Sequence, residues 1–430
     1  MGNDNASGVS SGAVNRAAQA LVGRAWLTVG LLWLVALLNY LDRLMITTMR
    51  DPIKADIVMT DAQFGLLTSV FLWVYAVVSP FGGYLADRFS RSRVIVGSLL
   101  IWSVVTWLTG HMRSFEGLLV ARAFMGISEA CYMPAALALI ADYHPGPTRS
   151  FATGVHMSGI YTGAALGGVG GYIAEHFGWR AGFSLFGAFG VIFAICTAFL
   201  LRDIVAMASG SSAVKRSSEA EGMRAVTVLR GLFGQPAFLL LLLVNALVGI
   251  VNWGIYGWLP TYLKDHFKLG LGAAGMTATG YIQVASFFAV LAGGFWADRW
   301  SKTNSRARAL VPAIGYCAAA PCLFLSASTD VLPLAIAGLI VFGIGRGFFD
   351  ANHMPILRYI ADQRYSATGF GFLNFISCTT GGIMIFAGGW LKDSHVDLSR
   401  IFQFSAFGLF LVGLLLFAMR RRREAKNLVN

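Results

Sequence analysis

The sequence predicts an all-α membrane protein with twelve transmembrane helices in two pseudo-symmetric halves of six. Three observations predict it. Of 430 residues, 56% are hydrophobic and only 13% are charged, about half the charged share of a soluble domain. The apolar residues gather in runs of about 20, enough for a helix to cross ~30 Å of hydrocarbon. Finally, motifs of the first half return at matching places in the second. GYLADRFSR at 83–91 pairs with GFWADRWSK at 294–302, EACYMP at 129–134 with DANHMP at 350–355, and ATG at 152–154 with ATG at 367–369.

Taken in order, a polar Ser/Gly/Asn-rich stretch, 1–22, is expected to be disordered and cytoplasmic, with no cleavable signal pattern. Spans at 26–48, 62–84, 94–112, 115–141, 150–173 and 181–201 build a first half over 23–201. The run GAALGGVGG at 163–171 offers a small-residue face for close helix approach. Residues 202–235 are polar, with Arg202, Lys215, Arg216, Arg224 and Arg230, and read as a cytoplasmic linker. Pro236 suits the first turn of the next helix. Spans at 237–263, 273–296, 308–326, 331–360, 366–390 and 400–419 fill the second half, 236–420, and 421–430 is a basic cytoplasmic tail.

The formal charge of +12 does not point to nucleic acid. With both termini inside, most lysines and arginines fall in inner loops, as the positive-inside rule requires. The RRRR at 420–423 then meets the anionic inner leaflet. Cys131, Cys196, Cys317, Cys322 and Cys378 all fall in spans without metal-ligand spacing and read as small buried residues. No HExxH, CxxC or serine elbow occurs, and GIGRG at 343–347 lacks the strand and Lys-Ser/Thr of a nucleotide loop. The expectation is a monomeric non-enzyme without cofactor or metal. Its partners are the lipid bilayer, a small anionic substrate and protons.

Six ionisable residues stand inside predicted spans: Asp42 and Arg43, Arg122 and Glu129, Arg346 and Asp350. Each costs about 2.5–3.5 kcal/mol at a helix centre. They persist only by pairing or by facing a wet cavity, and their formal charges sum to zero. Seven residues of helix bring Glu129 to within roughly 20° of Arg122, and Arg346 and Asp350, four apart, are neighbours. Counting along the helices puts Asp42, Arg43 and Arg122 at similar depth, with Glu129 deeper.

At these residues the chain resembles the major facilitator superfamily over essentially its whole length. Gly83, Asp87, Arg88 and Arg91 match that superfamily's signature between helices two and three. The first half resembles the anion:cation symporter family, through NYLDR at 39–43, Arg122 with GISEA at 126–130, Pro134, TRSFATGVHMSG at 148–159 and WLPTYL at 258–263. Bacterial Spinster-type carriers share NYLDR and a similar fourth-helix motif. The resemblance implies alternating access between the halves, Arg43 or Arg122 on an anion such as a sugar acid, and Asp42 and Glu129 as proton carriers.

Arginine offers a planar fork matched to carboxylate, and burial strengthens a carboxylate's hold on a proton. Asn39, Tyr40, Tyr132 and Tyr161 are candidates for substrate hydroxyls. Arg346 is a further anion site and Asp350 a further proton site, or the two form a plain intrahelical pair. Other readings stand beside these: Arg43 snorkelling to headgroups, Arg122 as a fixed partner of Asp42, and Glu129 as a structural hydrogen-bonder. His353 either tunes Asp350 or packs. Asp142 at the end of helix four is a partner for the loop arginines. Asp298, Arg299 and Asp362 are second-half counterparts of the gating set, whose contacts are expected to break as the halves rock. The reading that follows is proton-coupled uptake of a small organic anion across a bacterial inner membrane. A lysolipid carrier, a transport-dead sensor and a multidrug exporter are the rivals.

Overall fold

In lipid the backbone has no water to bond, so each span must satisfy its own amides as a helix. The computed structural model describes residues 6–144, 148–203, 225–360 and 366–419. Sixteen helices and no strand occur among them. In the first half these are α1 (Ala6–Thr48), α2 (Arg50–Asp56), α3 (Asp61–Arg88), α4 (Arg91–Thr109), α5 (Phe115–Ala130), α6 (Tyr132–Tyr143), α7 (Arg149–Leu166), α8 (Val169–Phe177) and α9 (Trp179–Leu200). Then come α10 (Ala225–Phe233), α11 (Pro236–Phe267), α12 (Leu271–Ser301), α13 (Ala307–Ser326), α14 (Leu332–Ile360), α15 (Ser366–Asp393) and α16 (Leu398–Ala418).

Local signals fix the ends. Thr60 and Gln63 form a reciprocal capping box before α3, Ser114 accepts from Gly117 N before α5, and Pro236 opens α11. Three readings are refined. Helix α1 starts at Ala6, so most of 1–22 continues the first span instead of being disordered; its alanines favour helix propagation over the polar residues' preference for turns. The end of the expected linker is helical as α10, and 204–224 lies outside the described residues. Eleven helical segments among the described residues are long and apolar enough to span, with α5 and α6 counted as one. The twelfth expected span, 150–173, is instead broken into α7 and α8 at Gly167–Gly168.

That break has a packing cause. A Cβ on Gly168 would lie 2.6 Å from Gly275 O, and one on Gly171 2.6 Å from Leu271 O. The glycines let α7 and α8 lie directly on the backbone of α12, at the expense of apolar side chains and helix continuity.

Each half repeats one packing plan: α1 on α7, α3 on α5 and α4 on α9 in the first, against α11 on α15, α12 on α14 and α13 on α16 in the second. The halves meet along α3 with α15, and along α7 and α8 with α12. These contacts concentrate at the bundle end that carries α2, called the distal end here. Ser69 Oγ donates to Gly382 O at 2.6 Å, Trp73 Nε1 to Thr379 O at 3.1 Å and Thr279 Oγ1 to Ala165 O at 2.8 Å. These three hydrogen bonds between halves thus fall in the distal portions of α3 and α12.

Candidate functional site

Helix α1 brings Asn39, Asp42 and Arg43 into the interior of the first half, and α5 brings Arg122 and Glu129; all five are buried. Arg43 Nε donates to Glu129 Oε2 at 2.6 Å. This corrects the ladder expected from counting residues. Helical side chains lean toward their own N-terminus. Helices α1 and α5 run in opposite directions, so Arg43 and Glu129 lean toward each other and close the gap in depth. The Arg43 guanidinium is also enclosed by the rings of Tyr40, Phe71 and Tyr75, at 4.8, 5.2 and 4.5 Å. It does not snorkel.

Arg122 is fully buried behind this pair, 4.7 Å from the Phe71 ring. Its Nε donates to Leu67 O at 3.3 Å, Nη1 points at Met125 Sδ at 3.0 Å, and Nη2 has no partner. Among the described residues no carboxylate lies within ion-pair distance of it, so Asp42 is not its fixed partner. Asp42 accepts from Thr106 Oγ1 at 3.2 Å through Oδ2, and its Oδ1 has no partner. The Asn39 amide lies near Glu129 without reaching full hydrogen-bond geometry and is otherwise unpartnered. The site thus holds one ion pair, one unpaired cation and two carboxylates, Asp42 and Glu129, each with one oxygen unpartnered.

In the second half Arg346 Nε lies 3.6 Å from Asp350 Oδ2, and Arg346 Nη1 donates to Gln283 Oε1 at 3.2 Å. Gln283 Nε2 donates in turn to Tyr256 Oη at 2.8 Å. Tyr161 of the first half donates to Asp350 Oδ2 at 3.1 Å, a link between the halves. Tyr132 does not join the site. Its hydroxyl donates to Leu32 O and lies 2.8 Å from His156 Nε2, buried against Trp102. His353 stacks on Phe349 at 4.9 Å, and its Nε2 is unpartnered.

The profile of the Major Facilitator Superfamily matches residues 32–386. The chain belongs to that superfamily. This superfamily member is a transmembrane transporter, not an enzyme, and is integral to a membrane. It is similar to an MFS-type efflux pump of Mycolicibacterium smegmatis, 26% identical over 94% of this chain and 95% of that one. It is also similar to a probable sulfoacetate transporter, SauU, of Cupriavidus necator, at 26% over 80% and 82%. The crystal structure of a bacterial homologue of the human lysosomal transporter Spinster, inward-facing and unoccupied, superposes with a TM-score of 0.72. It is 21% identical over 92% of this chain and 95% of that one, a likeness of fold.

The residues expected from the sequence to gate divide. Arg91 pairs with Asp142 and also donates to Ala138 O at 3.3 Å. Both partners belong to the first half, so the pair does not bridge the halves as expected; it ties α4 to α6. Asp298 pairs with Arg308 at 3.0 Å, again within one half. Arg299 lines an open surface cleft with Trp296, Trp300 and Lys302. Gly83, Asp87 and Arg88 lie in the last turns of α3, and Asp362 lies outside the described residues.

The contacts that do cross between halves were missed by the sequence reading. At the distal end Asp393 of α15 accepts from Asp61 N and Ala62 N, at 2.8 and 2.7 Å, on the first turn of α3. Glu175 of α8 accepts from Gly272 N of α12 at 2.8 Å. These are corresponding places in the two halves: an acid at one helix end caps the N-terminus of a helix in the other half, where the helix dipole favours negative charge. Asp51 joins them, pairing with Lys264 at 2.6 Å and with Arg50. Within the second half, Lys392 and Asp265 pair at 2.9 Å beside them. Burial works to raise the Asp51 pKa, but Lys264 and Arg50 override it and hold the carboxyl below its ordinary value. The only signal in the sequence was an acid at a helix end or two residues before it, which is common.

Proposed function

We propose that this transporter takes up a small organic anion, of the sugar-acid kind, together with protons, by alternating access. The buried Arg43–Glu129 pair at 2.6 Å, beside the half-satisfied Asp42, carries the reading. An arriving carboxylate that takes the Nε edge of the Arg43 fork, the edge Glu129 occupies, displaces Glu129. The displaced carboxylate, left without its cation in a dry site, then needs a proton. Anion binding and proton binding thereby become one event, which is what symport requires. Arg43 is the better anion site because Arg122 is sealed behind Phe71. Arg122 acts from there as a fixed positive charge that stabilises negative charge at Asp42 and Glu129.

With both termini cytoplasmic, the distal end, where the halves are closed, faces outward. The location is a bacterial inner membrane, and the transporter acts as a monomer. The name of the Cupriavidus relative supports an organic anion. Reconstituted protein should accumulate gluconate or glucuronate only under an inward proton gradient. Asp42→Asn should abolish accumulation while leaving gradient-free exchange of labelled for unlabelled acid. Intact accumulation in that variant would remove Asp42 from the proton path.

The Spinster-like fold supports a second reading, a carrier of lysolipids or similar amphiphiles. A thermal-shift comparison of sugar acids with lysolipids separates the two.

A further inference from the structure

Two arginine–carboxylate pairs, one from each half, flank a tyrosine cluster in which the halves meet. Arg43 holds Glu129, and its guanidinium lies 4.8 Å from the Tyr40 ring. Arg346 holds Asp350, and its guanidinium lies 5.0 Å from the Tyr256 ring. Tyr40 and Tyr256 pack into one apolar cluster with Leu44, Ala164 and Trp253. Tyr40 is within electrostatic reach of both arginines. A small apolar floor built by α1, α7 and α11 therefore carries a cation on either side.

The second pair is held loosely. Arg346 Nε stands 3.6 Å from the carboxylate and makes no hydrogen bond, although Arg346 is only 11% exposed. Asp350 is 31% exposed, and Arg346 and Tyr161 of the opposite half share its one oxygen Oδ2. Other titratable groups around Asp350 are Tyr316 from α13 and His353 one turn along α14, the latter stacked on Phe349. Gln283 and Tyr256 reach it only through Arg346.

Building on anion uptake as read above, we propose that the substrate is a two-ended dianion. One acid group replaces Glu129 at Arg43, and the other replaces Asp350 at Arg346. The two arginines and two carboxylates are together neutral before substrate arrives. A dianion adds two negative charges, and protonation of both displaced carboxylates restores neutrality. Uncompensated charge is strongly disfavoured beside the fully buried Glu129, and less so beside the one-third exposed Asp350. The cycle therefore carries two protons per dianion and moves no net charge. A one-ended acid fills only the Arg43 side. Loss of the Tyr161–Asp350 bond on binding would also free the halves to move, tying the second acid group to the conformational step.

The test uses reconstituted full-length protein and matched one-ended and two-ended acids: gluconate with glucarate, and acetate with sulfoacetate. Wild type should favour the two-ended member by at least about tenfold in kcat/KM, the loss of one charged recognition point being worth that factor or more. Arg346→Gln should cut this ratio by a similar factor, and Arg346→Lys should restore part of it. The ratio compares two substrates in one preparation, so it does not depend on how much variant folds. In wild type, uptake of the dianion at a fixed proton gradient should be indifferent to an imposed potassium-diffusion potential. In Asp350→Asn the dianion enters with one proton fewer, and an inside-negative potential should oppose it. An unchanged ratio in Arg346→Gln, or no potential dependence in Asp350→Asn, overturns the proposal. Proton-driven uptake of the one-ended acids without preference for their partners keeps anion symport and overturns the two-ended substrate. Uptake of none of the four overturns both.

Discussion

The two halves share one helix plan and bury charge in different ways. In the first half Arg43 and Glu129 come from separate helices, are at most 5% exposed, and meet at 2.6 Å. In the second, Arg346 and Asp350 come from one helix turn, stand 3.6 Å apart, and leave the acid about one third exposed. The first pair exists only while α1 and α5 keep their relative height and rotation, so it also reports on their packing. The second is guaranteed by helical periodicity and can loosen without disturbing any helix. A repeated fold can thus hold a rigid ion pair on one side and a compliant one on the other.

The largest expected effect separates these two pairs. Glu129→Gln leaves the Arg43 charge buried and uncompensated, a loss of about 3–5 kcal/mol. Asp350→Asn, in a looser and wetter pair, should cost no more than about 1 kcal/mol. Thermal unfolding in detergent should show a several-fold larger fall in Tm for the first variant, and equal falls would erase the distinction between rigid and compliant sites. Next comes Tyr132→Phe, which strips the partner from Leu32 O and His156 and should cost about 1–3 kcal/mol. Its KM for the transported anion should not move, and a raised KM would return Tyr132 to the site.

Smaller again is the distal closure. Asp393→Ala and Glu175→Ala each remove a cap worth roughly 1 kcal/mol that exists only when the distal end is shut. Each should raise the labelling rate of a cysteine placed at the distal interface about fivefold, and the double variant more; no change in either would make the caps incidental.

The smallest effect is in pH. The Asp51 carboxyl is held below its ordinary value in the closed state. Its contribution to closure is therefore full above the value it has when free, and is lost as pH falls through the depressed value. Distal labelling in wild type should rise in acid, and Asp51→Asn should flatten that rise.

Much of the fold could be read without coordinates because lipid leaves few options. Apolar runs had to be helices, and the duplicated GYLADR and GFWADR motifs placed the two halves. The exceptions have local causes. GAALGGVGG read as a helix-packing face, and it is one, but the same glycines break the helix into α7 and α8. In the site, all six membrane charges were visible as violations of hydropathy. Their partners were less so: the Arg346–Asp350 spacing was readable, whereas Gln283 and Tyr256 carried no signal, being ordinary polar and aromatic residues within apolar spans.

The sequence by itself determined that this chain crosses a membrane, that it is built twice over, and that charge lies where charge is costly. Those are consequences of composition and of the helical repeat, and both act over a few residues. Only the tertiary structure decided that Arg43 takes Glu129 while Arg122 is walled off, that Tyr132 turns into the core, and that Asp393 and Glu175 reach across to the opposite half. Each of these depends on how far one helix is rotated and shifted against another. Residue spacing along a single helix carries no information about that, and close packing of many side chains sets it all at once.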